Sequence, residues 1–136
     1  MVEVRMRGDG HYSASCGGQG LVIDRALPLI LEAIDALDPA SSDAAFAIAD
    51  FGAADGGTSI RMFRALLTEL RMRAPDRPII LTHTDLPYND FSALFRLVHG
   101  LQPGREADGL GEFHRVFSFA SGTRTPFSIM EPGYRS

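Results

Sequence analysis

The chain has 136 residues, 45% of them hydrophobic and 22% charged, with a net charge of −4. That length and balance describe one globular domain with a core of its own. Its basic residues are all arginine and are scattered rather than gathered into a stripe, so nucleic acid is not an expected partner.

The opening "MVEVRMRGDG" lacks the apolar core of a signal peptide. Residues 8–20, "GDGHYSASCGGQG", read as a polar, glycine-rich entry segment with little regular structure. It holds Cys16, the only cysteine, which excludes an internal disulfide or a cysteine metal cluster and suits a cytoplasmic protein. Leu27, Ile30, Leu31, Ile34 and Leu37 then recur at helical spacing, with Pro28 expected in the first turn or at a kink. This apolar stretch, "ALPLILEAI", falls short of the roughly 20 residues needed to cross a membrane. Asp38-Pro39 closes the helix and residues 40–43 form a loop. "AAFAIADF" has the character of a buried parallel strand. Thr58 or Ser59 can cap a second helix with Ile60, Phe63, Leu66, Leu67 and Leu70 inside and its arginines largely outside. "PIILTHTD" is a second buried strand. Asn89 or Asp90 can cap a third helix carrying Phe91, Leu94, Phe95 and Val98, ended by Gly100. A loop runs to about Gly111, and "FHRVFSFA" is a third strand.

Helix, then strands alternating with helices, implies an α/β fold with an open parallel sheet and right-handed crossovers. Such sheets bind ligands beyond the carboxyl ends of their strands. "DFGAADGG" and "TDLPYND" follow the first and second strands, so these two polar stretches are expected to meet at one site.

A Walker loop requires a lysine, and the chain has none. The glycines, Gly52, Gly56 and Gly57, do not fit G-x-G-x-x-G, and the Asp55 carboxylate would repel a pyrophosphate. A phosphate-free adenosyl ligand with a cationic amine and sulfonium suits Asp50 and Asp55 better than NAD does. Asp85, at the end of the second strand, has the place of an acid that accepts ribose hydroxyls. The competing structural reading is that Asp85 and Asp90 cap a turn or the following helix.

With these pieces in view, the chain resembles the SABATH family of small-molecule carboxyl methyltransferases, which includes salicylate, benzoate and jasmonate methyltransferases and the caffeine-pathway N-methyltransferases. "GDGHYSASCGGQ", "IADFGAADGGTS" and "HTDLPYNDFSALF" carry the likeness, the last being the most specific, and "ALPLILEAI" has a counterpart in a family helix. The resemblance runs from Gly8 to Thr123. It implies a Rossmann-like class I methyltransferase fold and S-adenosyl-L-methionine as cofactor. By the same resemblance Tyr12 covers the cofactor and Cys16, where the family has serine, touches its methionine end. Asp50, Gly52, Ala53 and Gly56 form the cofactor turn, Asp85 holds the ribose and Leu86 lies against adenine. Gln19 holds a substrate carboxylate. Thr58 departs from a family asparagine that helps hold the cofactor, and "RTPFSIMEPGYRS" departs from the family's later adenine contacts.

Family members are considerably longer, so residues 1–136 are expected to be the N-terminal cofactor-binding portion of a methyltransferase domain. The sheet is then incomplete, with an uncovered edge, and the chain alone is expected to be a poor catalyst. A small-molecule carboxylic acid is the implied substrate, and a homodimer is compatible with the family. Two other readings stand beside this one: a non-catalytic cofactor-binding remnant, and a fragment of an NAD-dependent oxidoreductase using Asp85 on ribose. Carboxylic acids are ionised at neutral pH, so methyl transfer to one needs alignment and exclusion of water rather than a general base.

The remaining candidates read as structural. His11, His83, His99 and His114 lack metal-ligand spacing, and His83 is expected to be a satisfied core or edge residue. No base accompanies Cys16 to make it a nucleophile, and no G-x-S-x-G elbow is present. Phe63, Phe91, Phe95, Phe117 and Phe119 have the spacing of packing residues.

Overall fold

The computed structural model describes residues 17–123. The regular elements follow in the expected order: α1 (Gly17–Ala36), β1 (Phe46–Phe51), α2 (Ile60–Arg73), β2 (Ile79–Asp85), α3 (Phe91–Val98) and β3 (Val116–Gly122). The strands are parallel and lie in the order β1-β2-β3. Strands that add in one direction through right-handed crossovers carry both connecting helices on the same face. Register sets Ile48, Leu81 and Ser118 side by side on that face, then Asp50, His83 and Ala120. Against it α2 buries Ile60, Phe63, Leu66, Leu67 and Leu70, while α3 buries Leu94, Leu97 and Val98. These residues join Ile79, Leu81 and Ile34 of α1 in one apolar cluster.

Several expectations are corrected by this arrangement. The entry segment was expected to lack regular structure through Gly20, but α1 already begins at Gly17. Of the two places expected for Pro28 the first turn is excluded, since it lies in the interior of a 20-residue helix, where it is exposed. Leu37 is 63% exposed because it follows the last helical residue, where the phase of the apolar stripe no longer governs it. β1 is not buried on both faces: its residues alternate between half-buried and exposed, because it is an edge strand and the face away from the helices is open. The same period of two turns Phe117 and Phe119 to that open face, where each is about half exposed and not in the core. The third strand also starts later than its apolar run, at Val116.

Arg71, an outward charge by helical spacing, ties together the amino-terminal end of the sheet. Its Nη1 donates to the carbonyls of Ala74 (3.1 Å) and Arg77 (2.8 Å). Its Nε donates to the carbonyl of His114 (2.9 Å), which Nη2 also reaches. Burial lowers its pKa from the usual guanidinium value, while Asp76 raises it and Arg115 lowers it. Only the planar five-donor fork of arginine reaches three carbonyls at once. Arg71→Lys is therefore expected to cost about 1–2 kcal/mol, read as a lower urea midpoint with an unchanged slope.

Candidate functional site

β1 and β2 end side by side, and the chain leaving β1 turns back onto the end of β2. The amides of Gly52 and Ala53 both donate to the carbonyl of Thr84, at 2.8 and 3.0 Å. The amide of Ala54 donates to Asp85 Oδ2 at 2.7 Å, and Asn89 Nδ2 donates to the Ala54 carbonyl at 2.7 Å. Corners more than thirty residues apart in sequence are thus one hydrogen-bonded unit. The turn needs positive φ at Gly52 (80°), Ala54 (50°) and Gly56 (80°), which explains two of its glycines.

The direction of the loop amides decides what it can hold. Beyond the three just named, Gly56 N–H donates to the Ala53 carbonyl at 2.9 Å and Gly57 N–H to Asp55 Oδ1 at 3.0 Å. These five amides point at acceptors within the protein, so they form no nest for a phosphate. The glycines serve a corner that locks two strands together.

Asp85 is 5% exposed, and its second oxygen, Oδ1, accepts from the Leu86 amide at 2.7 Å. Each oxygen has spent one lone pair on a backbone N–H and retains another. Asp50, on the neighbouring strand, has a side chain 16% exposed. Its Oδ2 accepts from Ser59 Oγ at 3.2 Å and lies 3.6 Å from His83 Nδ1. Beside Asp50 and Asp85 in the chain, Phe51, Leu86 and Tyr88 are exposed. β3 reaches the same rim, where the Thr123 amide donates to the Asp85 carbonyl at 2.8 Å.

Of the residues singled out on sequence, the structure brings Asp50, Gly52, Ala53, Gly56, Asp85 and Leu86 together. Within this group Ala53 and Gly56 are buried, Gly56 behind Leu94, whereas Leu86 is open. Tyr12 and Cys16 lie outside the described residues. Gln19 falls in the first turn of α1, and its side chain also lies outside the described residues.

Three participants were missed or misread. Asn89 is the latch on Ala54, and Asp90 alone caps α3, accepting from the Ala93 amide at 3.0 Å. Ser59 holds the N-cap position of α2 without a capping bond, its hydroxyl being turned to Asp50. His83 is neither satisfied nor at an edge. It is 1% exposed on the central strand, both ring nitrogens lack hydrogen-bond partners, and its ring meets Phe63 edge-on at 5.7 Å. The only sequence signal was a histidine at an inward position of a strand that begins with three apolar residues.

No protein-family model matches the chain. Its curated relatives include Methyltransferase FUS9 of Gibberella moniliformis, 33% identical over 109 residues, covering 80% of this chain and 28% of that protein. Indole-3-acetate O-methyltransferase 1 of Oryza sativa subsp. japonica is 33% identical over 97 residues, covering 67% of this chain and 24% of that protein. Among solved structures, loganic acid methyltransferase with SAH superposes at a TM-score of 0.63 with 26% identity, over 89% of this chain and 34% of its own. The homologues of the chain are methyltransferases, among them an indole-3-acetate O-methyltransferase of SABATH type, and the match lies in their N-terminal part. Its three-stranded parallel sheet with flanking helices is the α/β arrangement of that methyltransferase neighbour. The chain spans about a quarter of the length of these curated relatives. Among the described residues no helix is long and apolar enough to cross a membrane.

Proposed function

We propose that residues 1–136 are the N-terminal S-adenosylmethionine-binding portion of a SABATH-type carboxyl methyltransferase whose substrate is a small-molecule carboxylic acid. The observation that carries this reading is the fused pair of corners. Two carboxylates, Asp50 and Asp85, stand at the ends of adjacent parallel strands beside a loop whose amides turn inward. A pyrophosphate would find no donors in those amides and two negative charges nearby. A nucleoside carrying a cationic amino-acid tail would find acceptors. The SAH-bound neighbour supports the same cofactor.

In this reading the remaining lone pairs of Asp85 accept the ribose hydroxyls, Leu86 offers adenine an apolar surface, and Asp50 faces the amine. Gly52, Ala53 and Gly56 hold the turn against β2. Tyr12 covers the cofactor, Cys16 touches its methionine end, and Gln19 fixes the substrate carboxylate as a neutral donor. When bound, S-adenosylmethionine supplies an electrophilic methyl on a sulfonium. The protein's part is alignment, because the acceptor carboxylate is ionised without help. A cytoplasmic homodimer belongs to the same reading.

Calorimetry on the 136-residue chain tests it. S-adenosylhomocysteine is expected to release heat saturably and NAD to release none. Saturable heat with NAD and silence with S-adenosylhomocysteine would reverse the cofactor assignment.

A further inference from the structure

A core of this kind has little use for a histidine at position 83. An apolar side chain would fill the space between β2 and α2, whereas imidazole leaves both nitrogens buried without a hydrogen-bond partner, at a cost in stability. Asp50 Oδ2 lies 3.6 Å from Nδ1, a few tenths of an ångström beyond a good N–H···O contact. Ser59 Oγ reaches the same oxygen at 3.2 Å. Two groups from two different elements therefore converge on Oδ2, from the central strand and from the start of α2.

We infer that His83 is a positioning residue for Asp50: Ser59 and the Nδ1–H of His83 together hold Oδ2 from behind, so that Oδ1 is the oxygen offered to the cofactor's ammonium group. The inference rests on the reading under Proposed function, and it adds a residue that the family resemblance does not assign. It requires a defined tautomer, with the proton on Nδ1 and the bare nitrogen, Nε2, turned into the core beside Phe63. A space-filling histidine has no such requirement. A carboxylate held by donors on one oxygen also loses less freedom when it pairs with a ligand.

Nuclear magnetic resonance of the 15N-labelled chain reports the tautomer without any cofactor. The Nδ1–H form is expected in the parent chain, and reversion to Nε2–H is expected in Asp50→Ala. An Nε2–H tautomer in the parent chain, or one unmoved by Asp50→Ala, overturns the inference. Calorimetry with S-adenosylhomocysteine supplies the functional arm. His83→Leu is expected to bind about tenfold more weakly without a lower melting temperature. His83→Asn, which keeps an N–H near the Nδ1 position, is expected to restore most of the loss. Undiminished binding by His83→Leu would also overturn the inference. If the parent chain bound no S-adenosylhomocysteine, the cofactor reading would fail while the tautomer still decided the role of His83.

Discussion

Replacing Asp85 with alanine is expected to lower the stability of the chain by about 2–4 kcal/mol and to abolish its heat of binding to S-adenosylhomocysteine. The two effects have one origin. Asp85 is 5% exposed and accepts the amides of Ala54 and Leu86, both at 2.7 Å. Charge-assisted bonds of this length are stronger than neutral ones, and alanine leaves both donors without an acceptor in a nearly closed space. Loss of the Ala54 bond also frees the loop after β1, whose other ties to β2 are the Thr84 carbonyl and Asn89. Against a total stability of about 5–15 kcal/mol this is a large fraction. Asp85→Asn is expected to lie between the two, since its amide has one acceptor oxygen and must aim an NH₂ group at a second backbone donor. Urea unfolding gives the stability and calorimetry the binding. An Asp85→Ala chain as stable as its parent would mean that the corner is not held as described. A destabilised chain that still bound S-adenosylhomocysteine would remove Asp85 from the cofactor site.

The alternation of strands and helices was legible because each element has a strong pattern. Ile60, Phe63, Leu66, Leu67 and Leu70 can only be one face of a helix, and all five are buried. The meeting of the two acidic corners followed from topology, since parallel strands deliver their carboxyl ends to one edge. What failed was whatever depended on the number of layers. An apolar run such as "AAFAIADF" has the same composition whether one face or both are covered, so the exposure of Phe51, Phe117 and Phe119 could not be read from it. In the site, residue types that serve equally as caps were ambiguous. Asn89 and Asp90 both suit a helix start, and only coordinates separate the latch on Ala54 from the cap on Ala93. Ser59 suits a cap by its place before α2, yet the Asp50 carboxylate near the end of β1 takes its hydroxyl.

The open face and the corner obey different constraints. Phe117 and Phe119 lie on a surface that parallel sheets usually cover, and the relatives are about four times as long as the part aligned with this chain, as shares of 28% and 24% imply. The junction of the two corners, by contrast, is made between Asp50 and Asp90, with Thr123 of β3 and Arg105 adding one bond each. Cofactor affinity and catalysis can therefore be separated. In the proposed reading, binding would depend on the corner and methyl transfer on how the substrate is enclosed.

Gly56→Ala is the second substitution expected to have a large effect, about 2–5 kcal/mol from two terms that can be measured apart. The first is conformational: Gly56 has φ of 80°, a region that costs an L-residue roughly 1–2 kcal/mol. The second is steric, because a Cβ there would stand 2.7 Å from Leu94 Cδ1 and 3.4 Å from Leu97 Cδ2. Leu94 is 0% exposed and Leu97 3%, and the Asp90 cap pins the start of α3, so neither side chain has free space to enter. Overpacking of this kind costs about 1–3 kcal/mol. Gly104 separates the terms: its φ is 79°, and a Cβ there would meet nothing within 4 Å. Gly104→Ala is therefore expected to show the conformational cost alone. Removing the obstruction supplies the converse test. Leu94→Ala by itself opens a cavity, but combined with Gly56→Ala it makes room for the added methyl, so the double variant is expected to lose less stability than the two single losses summed. Strict additivity in urea unfolding would place the strain of Gly56 entirely in its backbone and remove Leu94 from the account.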